Sequence, residues 1–239
     1  MLALTKLRLF GMPKLLVIDT SSSICSVGLF NLGLWHQLET GTPRQAAQEV
    51  LGLIDSLLSE ADLALQELDA IVIASGPGSF TGLRIGIGIA QGLAAASSLP
   101  VIGVSNLALL AYSHLKYSNK NGAIICLSAR NEESYWAQYR ACQDLGVKLQ
   151  GIEKVISHQA QKPALNAVVD LDNWLLAGDG WDEALLATLM SSVSPDFNDI
   201  QVNLKDLCDV ALMRLAANLL LKPEDLTPNY VKEELDYLS

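Results

Sequence analysis

The chain has 239 residues, of which 50% are hydrophobic and 18% are charged. This composition excludes a disordered protein, because such chains combine low hydrophobicity with high net charge, and no apolar run approaches the roughly 18 residues that a membrane-spanning helix needs. Sixteen Lys and Arg against 26 Asp and Glu give a net charge of −10. Proteins that hold nucleic acid alone usually have a basic face, so we expect a partner to hold any RNA.

Cysteine and histidine spacing argues against the common metal motifs. The four cysteines stand apart without a C-x-x-C pair, and no two of the three histidines are three or four residues apart. We therefore predict no metal site, and we expect the reducing cytoplasm as the compartment. No Ser-His-Asp set or G-x-S-x-G elbow can be assembled, so we predict no catalytic residue. Residues 1–11 lack the apolar core of a signal peptide and are interpreted as an extension or as an ambiguity in the start site.

The first part of the chain predicts a hairpin-rich sheet followed by a helix. Short apolar runs separated by polar turn residues predict strands at Leu15–Asp19, Cys25–Phe30 and Leu34–Glu39. Apolar residues then recur at three- and four-residue spacing. This period predicts an amphipathic helix over 43–61, with Thr42 as its N-cap.

Strands and helices alternate in the next part, as they do in layered α/β domains. The runs Ala70–Ala74 and Val101–Val104 predict buried parallel strands. Each is followed by a predicted helix, at Leu83–Ser97 and at Asn106–Leu115. A glycine-rich loop, Gly76–Gly82, separates the first of these strands from its helix.

The second half repeats this plan in abbreviated form, after a linker-like patch at 116–122. The predicted strands are Ala123–Leu127, Tyr135–Tyr139, Gly151–Ile156 and Asn173–Ala177, and the predicted helices are Asp182–Met190 and Asp206–Leu221. We therefore predict an N-terminal extension at 1–11, a first lobe at 12–108 with helix 206–221 as a candidate to complete it, a reduced second lobe at 109–205 and a C-terminal tail at 222–239. The acidic part of that tail, Leu226–Ser239, is expected to be loosely held.

Two segments contain candidates for binding a nucleotide or another anion. A carboxylate beside two hydroxyls, at the end of the first strand, can hold Mg²⁺-bound phosphate or can tighten a turn. The glycine-rich loop can present free N–H groups and a partial positive charge to an anion, or can form a tight turn with Ser79 or Thr81 as N-cap. The candidate residues are Asp19, Thr20, Ser21, Gly76, Gly78, Ser79 and Thr81.

The helix after this loop is rich in glycine. Each internal glycine destabilises a helix by roughly 1 kcal/mol relative to alanine, so we expect close approach of another element to offset this. Isoleucines spread over more than one face, which predicts deep burial or cover by another chain. For a partner, the predicted contact residues are Leu51, Ile54, Leu58, Ile85, Gly86, Ile89 and Gly92.

Five segments together resemble the TsaB (YeaZ) family. They are Leu15–Phe30 (LLVIDTSSSICSVGLF), Ser75–Gly92 (SGPGSFTGLRIGIGIAQG), Leu99–Ser105 (LPVIGVS), Ser128–Ala137 (SARNEESYWA) and Pro228–Lys232 (PNYVK). The resemblance covers nearly the whole chain from Met12 onward, and the second segment is highly specific. It implies an α/β fold of the actin-like ATPase and ribonuclease H-like (ASKHA) class, with two lobes of which the second is reduced.

The resemblance also implies a non-catalytic scaffold in threonylcarbamoyladenosine modification of tRNA. The implied partners are the catalytic relative TsaD, as a heterodimer, and the ATPase TsaE, with a homodimer when the chain is alone and tRNA contacted only through the complex. It implies no cofactor of the chain's own. The two metal-binding histidines of TsaD match Asn106 and Leu110 here, and neither side chain can replace an imidazole. The chain departs from the family pattern at Ala46-Ala47 and at Ser128.

A second hypothesis is a residual ASKHA-type ATPase or small-molecule kinase that acts alone. Its Mg·ATP would lie at Asp19 and the loop Gly76–Gly82. Such enzymes normally need phosphate-binding loops from both lobes, and the second lobe offers only Gly178-Asp179-Gly180 as a further loop. Nucleotide binding and the role of that loop therefore distinguish the two hypotheses.

Overall fold

The computed structural model of the chain describes residues 11–40, 46–189 and 203–231, without the side chains of 46–48 and 189. Its described residues form two compact units. The first unit takes the described residues of Met1–Leu109, Asp144–Gly146 and Val202–Asn229, and the second takes those of Leu110–Gln143, Val147–Gln201 and Tyr230–Ser239. In these parts of the chain, no helix is long and apolar enough to cross a membrane.

The strands are β1 (Leu15–Asp19), β2 (Ser26–Asn31), β3 (Leu34–Glu39), β4 (Ala70–Gly76), β5 (Val101–Ser105), β6 (Gly122–Ser128), β7 (Glu133–Cys142), β8 (Gly146–Leu149), β9 (Lys154–Ser157) and β10 (Trp174–Ala177). The helices are α1 (Ala46–Glu60), α2 (Phe80–Ser97), α3 (Asn106–Leu115), α4 (His158–Asn166), α5 (Glu183–Leu189) and α6 (Leu204–Ala216). The predicted helix start at 43 and its N-cap Thr42 lie outside the described residues.

The first unit is built on a sheet in the order β3-β2-β1-β4-β5. The hairpins β1–β2 and β2–β3 are antiparallel, whereas β1–β4 and β4–β5 are parallel. Strands β1 and β4 are buried along their whole length, as expected for continuous apolar runs in the middle of a sheet that is covered on both faces. The carboxyl ends of β1, β4 and β5 therefore meet at one edge, where Asp19 and the Gly76–Gly82 loop lie.

Helices α1 and α2 pack on each other and on one face of this sheet. Their inward residues share a core with the sheet: Val50, Ile54 and Leu57 from α1, and Ile87, Ala90 and Ala94 from α2. Helix α6 packs on β1, β2, β4 and β5. It lies on the other face, because its Lys205 ammonium is 5.7 Å from the ring centre of Phe30, which alternates along β2 with the core residue Leu29.

The second unit contains a mixed sheet in the order β10-β6-β7-β8, with β9 also paired to β7. The sequence missed β8 and α4. Strand β8 has only four residues, and α4 contains Pro163 and a mostly polar sequence. The core includes Trp136 and Trp181, whose rings meet edge to face at 5.5 Å.

The C-terminal segment corrects two expectations. Helix α6 ends at Ala216 rather than Leu221, because Asn218 adopts a left-handed φ of 56° and turns the chain out of the helix. The expectation of a loose tail is wrong for residues 226–229, because Leu226 is only 2% exposed within the core of the first unit.

Candidate functional site

Asp19, at the end of β1, is 5% exposed. Its Oδ1 accepts a hydrogen bond of 2.8 Å from the Ser21 backbone N–H. This bond forms the tight turn that the sequence offers as the alternative to a phosphate-binding site. Burial raises the pKa of the Asp19 carboxyl above its usual value, although hydrogen bonds from Ser21 oppose the shift. The carboxyl is therefore built into the turn and holds its proton more tightly than a carboxyl in water does.

The Gly76–Gly82 loop lies directly on this turn. The Ser79 backbone N–H donates to the Ser21 carbonyl at 2.7 Å, and the Thr20 hydroxyl donates to the Gly82 carbonyl at 2.8 Å. A Cβ on Gly82 would lie 2.0 Å from the Thr20 carbonyl oxygen, and one on Gly78 would lie 2.5 Å from that of Ser21. These glycines therefore permit close contact of the loop and of the first turn of α2 with the residues that follow β1.

Ser79 is the N-cap of α2, and its hydroxyl accepts a hydrogen bond from the Gly82 N–H at 3.2 Å. The backbone N–H of Ser79, a predicted anion-binding residue, and that of Gly82, at the end of the same loop, thus have partners within the chain. The structure brings the two predicted segments together, from Asp19–Ser21 and from Gly76–Thr81. Their binding of an anion stays a prediction.

Sequence reasoning missed the part that Asn106 plays in joining these loops. The Asn106 side-chain amide donates to the Ser21 hydroxyl at 2.8 Å and to the Pro77 carbonyl at 3.0 Å. The side chain is 4% exposed, and its Oδ1 has no hydrogen-bond partner among the described residues. The only available signal was its position directly after β5, at the sheet edge where β1 and β4 also end.

The other proposed phosphate loop, Gly178-Asp179-Gly180, has structural contacts within the second unit. Asp179 Oδ1 accepts a hydrogen bond from the Ser128 N–H at 2.9 Å, and the Gly180 carbonyl accepts one from Gln161 Nε2 at 2.7 Å. A Cβ on Gly180 would lie 2.3 Å from the Leu127 carbonyl carbon. In the described part of the chain, no cluster of three His, Cys, Asp or Glu residues could hold a metal ion.

Two of the predicted partner-contact residues are buried inside the first unit, which corrects the sequence interpretation. Ile54 is 4% exposed and belongs to the core. Gly86 is buried, and a Cβ there would lie 2.1 Å from Thr20 Oγ1 and 3.1 Å from Ile73 Cδ1. Helical spacing identifies apolar faces but does not say which of them meets the sheet.

The remaining predicted contact residues are at least partly accessible on α1 and α2, although Leu58 and Ile89 also pack against the core. Leu51 is 53% exposed and Gly92 is exposed, whereas Leu58, Ile85 and Ile89 are half-buried. The exposed Gly88 lies among them, and a Cβ on Gly88 or Gly92 would meet no atom within 4 Å. We call this accessible set, Leu51, Leu58, Ile85, Gly88, Ile89 and Gly92, the open helix face; its binding of a partner stays a prediction.

Comparison with known proteins gives similarities over most of the chain. The family model described as TsaD, tRNA N6-adenosine threonylcarbamoyltransferase, matches residues 41–211. The "tRNA threonylcarbamoyladenosine biosynthesis protein TsaB" of Escherichia coli K12 is 33% identical over 168 residues, which are 70% of this chain and 72% of the relative. The protein of the same name from Haemophilus influenzae is 37% identical over 172 residues, 70% of this chain and 72% of the relative.

Solved structures give the same result for the fold. A structure described as YeaZ from Pseudomonas aeruginosa is 32% identical and superposes with a TM-score of 0.73, covering 92% of this chain and 100% of that chain. A second, described as an uncharacterized protein with similarity to peptidase YEAZ from Pseudomonas aeruginosa, is 33% identical with a TM-score of 0.74 and the same coverage. The predicted α/β fold of the actin-like (ASKHA) class is confirmed.

Alanine substitutions should separate the inner from the outer glycines of α2. We expect Gly86→Ala to destabilise the chain by roughly 1–3 kcal/mol, because its methyl group would meet Thr20. We expect Gly88→Ala to stabilise it by about 1 kcal/mol, because the helix gains a better former and the methyl group enters open space. Urea unfolding of the two variants measures both changes, and shifts of the same sign would contradict this assignment.

Substitution of Asp19 by Asn should change the free energy of unfolding by an amount that depends on pH. The pKa of Asp19 is raised in the folded chain. Its contribution to the free energy of unfolding is therefore fully present below the unfolded pKa of 3.8 and is lost as pH rises through the folded pKa. We therefore expect the stability of Asp19→Asn relative to the unsubstituted chain to increase over the pH range that starts at 3.8 and extends upward. Urea unfolding across this range, with the exposed Asp55→Asn as control, tests it; a pH-independent difference for Asp19→Asn would be the contrary result.

Proposed function

This chain belongs to the TsaB (YeaZ) family, and we propose that it acts as a non-catalytic subunit in tRNA threonylcarbamoyladenosine modification, paired with a TsaD-type catalytic subunit. The observation that carries this proposal is the open helix face, where two glycines have no packing role within the described structure. A glycine in a helix interior destabilises it by about 1 kcal/mol relative to alanine. Gly82 and Gly86 offset this by contacts within the chain, whereas Gly88 and Gly92 contact nothing at their Cβ positions.

An approaching helix would account for both outer glycines. Without side chains at Gly88 and Gly92, a second backbone can come close to α2, and the flanking Ile85 and Ile89 can then bury apolar surface against it. Leu51 adds apolar surface from α1, which packs beside α2. This surface suits a partner with an apolar helix pair of its own, either TsaD or, in its absence, a second copy of the chain in an isologous dimer.

The non-catalytic role is supported by how the candidate polar groups are used. The Thr20 hydroxyl and the Ser79 and Gly82 backbone amides all donate within the chain. The positions that match the metal-binding histidines of TsaD hold Asn106, which ties two loops together, and Leu110, which is 2% exposed. We therefore assign the transfer chemistry to the TsaD-type partner.

The net charge supports the same assignment, with the tRNA contacts made by the partners and not by this chain. The chain has a net charge of −10, so neutralisation of tRNA phosphates falls to its partners. Helix α2 has Arg84 as its only charged residue, while α1 contains Glu49, Asp55 and Glu60. A partner that meets this face is therefore expected to present apolar residues to α2 and basic residues to α1. TsaE completes the proposed complex, and tRNA contacts this chain only through it.

Pairing should be sensitive to a side chain added at Gly88. We expect Gly88→Leu to fold normally, because the position opens to space, and to weaken binding of the TsaD-type partner at least about tenfold by keeping the two helices apart. Titration calorimetry of the purified proteins measures the affinity. Gly86→Leu is unsuitable, because its side chain would enter the core.

The matched control is Gln159→Leu, which adds the same apolar side chain at an exposed position of α4 in the second unit. It should leave the affinity unchanged. If Gly88→Leu binds the partner as tightly as the control does, the open helix face is not the pairing surface.

The lone-ATPase hypothesis predicts a different measurement. Because the amides of Ser79 and Gly82 and the Thr20 hydroxyl already have partners, we expect Mg·ATP to give no saturable heat with the isolated chain at micromolar concentrations. Micromolar binding that Asp19→Ala abolishes, together with ATP turnover, would favour the enzyme over the scaffold.

A further inference from the structure

Residues Leu221–Asn229, here called the strap, run across the first unit and include one 3-10 helical turn at Pro223–Asp225. Its first contact is with the edge strand β5. The Val101 N–H donates to the Leu221 carbonyl and the Leu221 N–H donates to the Val101 carbonyl, both at 2.9 Å. The strap thus begins as a one-residue extension of the sheet, at the end of β5 opposite the Gly76–Gly82 loop.

The middle of the strap is fastened to α2 by Gln91. The Gln91 side-chain amide donates to the Pro223 carbonyl and to the Leu226 carbonyl, each at 3.0 Å. Both N–H groups of this one side-chain amide therefore donate hydrogen bonds to the strap. Between these carbonyls, Leu226 enters the core, where its Cδ1 would lie 2.9 Å from a Cβ on Gly103.

The far end of the strap reaches the candidate site. The Asn229 backbone N–H donates to the Ser75 carbonyl at 2.7 Å, and its side-chain amide lies 3.4 Å from the Gly76 carbonyl. Ser75 and Gly76 are the last residues of β4, and the loop that follows them bonds to Ser21 through the Ser79 amide. The strap, the loop and the β1–β2 turn are thus linked in series by hydrogen bonds.

We propose that the strap is a latch which fixes the Gly76–Gly82 loop against the β1–β2 turn, with Gln91 and Asn229 as its positioning residues. Gln91 lies on α2, the helix whose outer side carries Ile89 and Gly92 of the open helix face. The helix proposed to meet the partner is therefore also the helix that holds the strap. The Pro228–Lys232 motif, which the pairing function does not use, supplies the Asn229 anchor.

Gln91→Glu tests the latch with almost no change in side-chain size. At neutral pH it would set a carboxylate against the Pro223 and Leu226 carbonyl oxygens, which repels the strap in place of holding it. Gln66→Glu, an identical change at an exposed position between α1 and β4, is the matched control. Gln91→Leu is a second, uncharged variant that removes both bonds and should act in the same direction.

The measurement is hydrogen–deuterium exchange of the full chain, resolved at single amides. We expect Gln91→Glu to raise the exchange of the Leu221 and Asn229 amides at least about tenfold, and to raise that of the Ser79 amide as well, with the control unchanged. Unchanged exchange at Leu221 and Asn229 would show that Gln91 is not the latch. Faster exchange there with an unaltered Ser79 amide would show that the strap does not fix the loop.

A second readout rests on the proposed function, namely the affinity for the TsaD-type partner. We expect Gln91→Glu to weaken binding at least about fivefold relative to Gln66→Glu, because the loop begins the helix that meets the partner. Equal affinities, with the exchange result as expected, would overturn this link to pairing. If the unsubstituted chain itself fails to pair, the proposed function is wrong, whereas the exchange result still decides the latch.

Discussion

The contact between the Gly76–Gly82 loop and the β1–β2 turn sets the geometry of the whole first unit. Gly82 and Gly86 bring the start of α2 onto Thr20, and hydrogen bonds from Thr20 and Ser79 hold it there. This contact fixes the position of α2 over the sheet. The position of α2 in turn determines which of its residues enter the core, which face outward, and where Gln91 meets the C-terminal segment.

One helix therefore uses glycine for two separate purposes. On the inner side, a missing side chain lets the helix approach the sheet, and the loss of helix stability is offset inside the same chain. On the outer side, at Gly88 and Gly92, no atom of the described structure fills the space, so no contact within that structure offsets the loss of helix stability. A subunit of an assembly has a use for such positions, whereas a protein that works alone would gain stability from alanine there.

Much of the fold could be predicted from the local sequence pattern, because strongly apolar runs between polar turn residues predict buried strands. Strands β1 and β3 begin and end where apolar runs and polar turn residues predict, and Ser79, one of the two N-cap candidates, caps α2. The errors arise where tertiary contacts, and not the local sequence, determine which residues are buried and which loops are joined. Spacing marked Ile54 and Gly86 as apolar surface without showing that the sheet covers them, and Asn106 gave no local sign that it would join two loops. The acidic composition of the C-terminal segment concealed Leu226, one residue with a place in the core.

The first unit is discontinuous in sequence, since residues up to Leu109 are joined in it by residues as late as Asn229. Synthesis on the ribosome proceeds from the N-terminus, so β5 emerges long before Leu221 can pair with it. The nascent chain must keep this strand edge from aggregating while more than a hundred further residues are made. Truncation before Leu221 should therefore impair the maturation of the N-terminal sheet, although the missing residues lie more than a hundred positions further along the chain.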